Sequence, residues 1–148
     1  GTIELSEDTG LTPIPVEDDV VSLSAILLDD GYYEALQTAK RQVEGVTIID
    51  ESLLIPFKAR AFLDLSARSE AGEKVDSKNI KKHRNDVFRL VQLLPEGAVI
   101  EVSGPIRDDL GRFVEAAQAD ETLYPTAFNV PFTREKAVEL LRSAYGLT

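Results

Sequence analysis

Residues 46–68, VTIIDESLLIPFKARAFLDLSAR, and residues 76–94, DSKNIKKHRNDVFRLVQLL, decide how the chain is read. The first opens on Val46–Ile49, β-branched enough to predict a short strand. Asp50 then caps a helix running to about Arg68, in which Pro56 either marks the first helical position or bends the first turn. Leu53, Phe57, Ala61 and Leu65 recur every four residues and predict the buried side, with Leu54 and Phe62 beside them, while Arg60, Asp64 and Arg68 form a polar row. The second stretch predicts a helix capped by Asp76 or Ser77 and stopped at Leu94 before Pro95. Ile80, Val87, Val91 and Leu94 are its buried stripe; Lys78, Lys82, Asp86 and Arg89 share the opposite face. The charged loop from Glu70 to Asp76 is short, so the two helices are expected to be antiparallel neighbours.

Upstream, Thr2–Leu5 and Val20–Leu28 read as strands, Leu11–Pro15 is extended because each proline biases its predecessor away from helix, and Asp30 is an N-cap for a helix through Tyr32, Leu36 and Ala39. Downstream, a strand over Val99–Val102 precedes a helix from Pro105 to about Ala119. Asp120–Pro131 reads as irregular, and Thr133 caps a last helix through Val138, Leu141 and Tyr145 before Gly146. The expected fold class is therefore α+β, a small sheet of short strands packed with about five helices. Its parts are a strand-rich segment 1–50, a basic helical pair 51–94 and a C-terminal helical region 95–148, folded as one compact unit.

The chain has 148 residues, the size of one domain able to bury a core without staples. It contains no Cys, which excludes disulfides, thiolate metal centres and thiol catalysis, and one His, which excludes multi-histidine metal sites. It also contains no Met and begins Gly1-Thr2-Ile3-Glu4, so it is expected to be processed or cut from something longer. No apolar run approaches the roughly 20 residues of a membrane span, and a cytoplasmic protein with no membrane partner is expected. The net charge of −10 hides an asymmetry: residues 57–92 hold 9 basic and 5 acidic side chains, against 2 and 12 in residues 1–56. Such a basic island suits an anionic partner, a phosphate or RNA, and is equally what two solvated helix faces look like.

Four features bear on chemistry. Lys82 and Asp86 stand at i and i+4 with Arg89 three residues on, a spacing that makes either a surface ion pair or, in a cleft, a grip on phosphate oxygens with Asp86 holding the cations. Lys58, on the preceding helix, either reaches across to a phosphate or snorkels from the helix edge. His83 falls between Ile80 and Val87 on the apolar side and reads as a packed, hydrogen-bonded residue. Glu4, between Ile3 and Leu5, is placed by strand alternation on the face opposite both neighbours, as a metal-binding carboxylate or a half-exposed strand residue. There is no phosphate-binding glycine loop, no dinucleotide fingerprint, no nucleophile elbow and no close Asp-x-Asp.

The order of residues from Val46 to Leu94, with Lys58 on the first helix, Arg68 closing it, and Lys82 and Asp86 opening the next, resembles the second half of nucleotidyltransferase-like proteins of the abortive-infection toxin (AbiEii-like) group. The resemblance covers roughly residues 2–94, and His83 departs from it, standing where that group more often has an acid. It implies the later part of a polymerase-β-like nucleotidyltransferase fold, transferring a nucleotide from a nucleoside triphosphate to an acceptor with a divalent metal such as magnesium. On that footing Lys58 and Asp86 are expected catalytic residues, Arg68, Lys82 and Arg89 bind nucleotide phosphates, and Glu4 is a metal-binding carboxylate. The Gly-Ser and Asp-x-Asp half of the family's site has no counterpart here, so the chain alone is expected to be catalytically silent. The alternative is a non-catalytic module whose basic helices dock RNA or an acidic protein such as an antitoxin. A sheet lacking its N-terminal half would expose an edge, which favours a homodimer.

Overall fold

The structure, a computed structural model, describes residues 32–34, the backbone of 41–43 and 46–48, and residues 51–147. Strands β1 (Arg41–Val43) and β2 (Val46–Ile48) pair antiparallel, Arg41 opposite Ile48 and Val43 opposite Val46. Helix α1 (Glu51–Glu70) follows, then α2 (Ser77–Val91), α3 (Gly104–Ala119), a 3-10 turn (Pro125–Phe128) and α4 (Arg134–Tyr145). Residues 32–34 are also helical.

This is a helical fold, and it corrects the α+β expectation. Among the described residues, extended pairing is confined to two three-residue strands, too short to form a layer on which helices could pack. The expected strand Val99–Val102 does not form either. Val99 is 84% exposed, and the segment is tied to the fold by Ile100, whose N–H donates to the Ala144 carbonyl at 2.7 Å. That carbonyl belongs to the last turn of α4, where helical acceptors lack partners of their own. A β-branched run thus serves as a strap across a helix end rather than as a strand. The expected strands Thr2–Leu5 and Val20–Leu28, the caps Asp30 and Asp50, and Glu4 lie outside the described residues.

The helices start and stop for local reasons. Asp76 takes the N-cap of α2, its side chain accepting from the Lys78 N–H at 2.9 Å. Thr133 does the same for α4, accepting from the Lys136 N–H at 3.1 Å. Gly72, at φ +92°, turns the chain out of α1 in a conformation that other residues resist, so residues 71–76 can fold α2 back along α1.

Helix α1 begins five residues before Pro56, so the proline lies inside the helix. Proline has no N–H to give the carbonyl one turn back, that of Ser52. The Tyr145 hydroxyl, from the end of α4, donates to that carbonyl at 2.6 Å.

Helix α1 packs on α2 and α3, and α4 closes against α3 and α2. Leu54, Ile55, Leu90, Ile106, Leu110 and Leu141 are buried together with Phe57, Phe88 and Phe113. Phe88 and Phe113 lie 6.1 Å apart between ring centroids, Phe62 meets Phe113 edge-on at 5.5 Å, and Phe88 reaches Phe128 of the 3-10 turn at 6.3 Å. The 3-10 turn is thereby held against the C-terminal half of α2.

Candidate functional site

Folding α2 back on α1 brings Lys58 of α1 to Asp86 of α2. Lys58 Nζ stands 3.2 Å from Asp86 Oδ2, in a side-chain pair where Lys58 is 4% and Asp86 8% exposed. Lys58 also donates to Nδ1 of buried His83 at 3.4 Å, which places a neutral imidazole's proton on Nε2. The expectation of a packed, hydrogen-bonded histidine matches this position.

Two further cations converge on the same carboxylate. Lys82 Nζ is 3.7 Å from Asp86 Oδ2, and Arg89 Nη1 donates to Asp86 Oδ1 at 3.0 Å. Asp86 is therefore not on a solvated face as its spacing suggested; it is the buried centre of a cluster spanning both helices. Arg89 is the most exposed member, its side chain 37% accessible. Its guanidinium carbon lies 5.3 Å from the Phe128 ring centroid, a cation–π contact. Thus Arg89 is held by both a carboxylate and an aromatic ring.

Arg68 does not join them. It lies ten residues beyond Lys58 along α1, about 15 Å by helical rise, and its Nε donates to Glu73 in the α1–α2 connection at 2.9 Å. Arg60 and Arg84 of the basic island are similarly engaged, whereas Lys74, Lys78 and Lys81 are exposed. Arg60 bonds both Asp64 oxygens, at 3.0 and 3.1 Å, and Asp109 at 2.9 Å. Arg84 bonds Asp120 at 3.1 Å and the neighbouring Asn85. Burial draws the Arg84 guanidinium below its ordinary pKa, against the opposing pull of Asp120.

Asp109 centres a second buried network that the sequence reading did not single out. It is 3% exposed and accepts from the Tyr32 hydroxyl at 2.8 Å, from Arg60 and from Arg112. Burial pushes its carboxyl up, but the hydrogen bonds from Tyr32, Arg60 and Arg112 outweigh it and hold the group below the usual carboxylate range. A signal for it was present: Ile106, Asp109, Leu110 and Phe113 follow the i, i+3, i+4, i+7 spacing of one helix face, all four buried.

Among the described residues no three His, Asp or Glu side chains gather into a set able to hold a metal ion. Asp86 is ringed by cations, which compete with a metal for its oxygens. The described residues therefore do not fit the divalent-metal centre that the resemblance implies. No helix among them is long and apolar enough to cross a membrane. Comparison with protein-family models, curated proteins and solved structures finds no match to this chain.

Proposed function

We propose that this chain is the C-terminal, helical part of a nucleotidyltransferase-like protein, and that Arg89 is its accessible contact for the phosphates of a nucleoside triphosphate. The observation that carries the reading is the arrangement around Asp86, where Lys58, Lys82 and Arg89 meet one buried carboxylate and only the guanidinium reaches well into solvent. A guanidinium fixed on one edge keeps its remaining N–H groups aimed outward, and its planar fork suits two oxygens of a phosphate. In this reading Lys58 and Asp86 position Arg89 and carry the local charge, and neither touches the nucleotide. Magnesium and nucleotide transfer belong to the complete protein.

Calorimetric titration of the purified chain with ATP tests this. Saturable binding that weakens about tenfold or more in Arg89→Gln is expected, with partial recovery in Arg89→Lys. Absence of ATP binding, or equal binding by Arg89→Gln, overturns it. Binding of a short single-stranded RNA with steep salt dependence, in a chain indifferent to ATP, would replace it with the binding-module reading.

A further inference from the structure

A cleft of about 300 Å³ opens beside Arg89, lined by Arg89, Gln92, Leu93, Phe128 and Asn129. We propose that this cleft receives the base of the nucleotide whose phosphates Arg89 binds, an assignment that rests on the phosphate reading above and names where the rest of the ligand lies. Its volume is at the lower end of the roughly 300–1,000 Å³ typical of small-molecule sites, right for one ring system.

The lining carries both kinds of contact a base needs. Phe128 and the Arg89 guanidinium already meet in a cation–π contact at 5.3 Å, and a base placed against them gains aromatic and cation–π contact whatever its identity. Leu93, just past the end of α2, is 37% exposed and puts an apolar side chain on the cleft wall. Two amide side chains complete the rim. Gln92 donates to the Arg89 carbonyl at 3.2 Å, which turns its Oε1 away as an acceptor for an exocyclic amine. Asn129 ends the 3-10 turn in the left-handed conformation, φ 69°, which places its exposed side chain at the cleft. Donors and acceptors on amides are the usual readers of base edges.

Three ligands separate this proposal from the one beneath it. Titrated into the full chain, tripolyphosphate reports the phosphate contact, adenosine the cleft, and ATP both. The expected result is ATP binding about tenfold tighter than tripolyphosphate, that advantage being lost in Phe128→Leu, which keeps apolar volume but removes the ring. Leu93→Ser, at an exposed position, is the second variant and is expected to lose most of the same advantage. Tripolyphosphate affinity should be unchanged in Leu93→Ser; Phe128→Leu also removes the ring against Arg89, so it is read as the ratio of ATP to tripolyphosphate affinity within the same variant. If tripolyphosphate binds and ATP binds no tighter, or if both variants keep the ATP advantage, the cleft assignment is overturned and the phosphate reading survives. If adenosine binds the parent chain and not Phe128→Leu while tripolyphosphate does not bind, the cleft stands and the phosphate contact falls. Binding of none of the three overturns both.

Discussion

Asp109 shows how a single carboxylate can hold three segments together, since its partners come from residues 32–34, from α1 and from its own helix. Its folded pKa is depressed below the value of about 3.9 expected in the unfolded chain. The stability it contributes is therefore fully present above the unfolded value and is lost as pH falls through the lower folded one. Asp109→Asn is expected to cost about 2 kcal/mol at pH 7, because hydrogen bonds to charged groups are worth more than neutral ones. It should also flatten the loss of stability below about pH 4. Urea denaturation at pH 7 and at acid pH reads both; an unchanged acid limb would show that the network does not set it. Such residues are hard to find beforehand because a charged residue counts against burial unless its partners are known. Arg60 and Tyr32 lie 49 and 77 positions from Asp109 in sequence, and Asp86, read on the polar face of its helix, meets Lys58 from another helix.

At the scale of elements, local chemistry was a good guide wherever a boundary depended on neighbouring residues. The caps Asp76 and Thr133 and the turn at Gly146 depend on backbone groups within a few positions and form as expected, whereas α2 ends at Val91, three residues short of the expected stop at Leu94. Strands depend instead on a partner segment being at hand, near or far in sequence. Val46–Ile48 finds one in Arg41–Val43, whereas Val99–Val102 meets a helix end and stays irregular. Pro56 is the case where the two kinds of information meet: the helix absorbs it because α4 delivers the Tyr145 hydroxyl to the Ser52 carbonyl. Tyr145→Phe is expected to lower stability by about 1 kcal/mol, the typical net worth of one hydrogen bond. The same change should cost less in a Pro56→Ala background, where a restored N–H bonds that carbonyl. A double-mutant cycle by chemical denaturation measures the difference, and equal costs in both backgrounds would disconnect the hydroxyl from the proline.

For the whole molecule, the basic island proves to be divided by the fold. Arg60 answers two acids, Arg68 and Arg84 one each, and Lys74, Lys78 and Lys81 are exposed along the helices and their connection. Lys58 and Lys82 are drawn into Asp86, which leaves Arg89 as the member of that cluster best placed to meet a ligand. The charge asymmetry of residues 57–92 was legible in the sequence; which member of the Asp86 cluster faces outward was not, because it follows from how α1, α2 and the 3-10 turn pack. The central claim is one of location, and two-dimensional amide spectra of the 148-residue chain titrated with ATP test it most directly. The account predicts shifts centred on the Arg89 side-chain Nε–H and on the backbone of residues 86–93, extending to Phe128 and Asn129. Shifts centred instead on the exposed Arg107 and Arg112 of α3, with Arg89 unmoved, would contradict it.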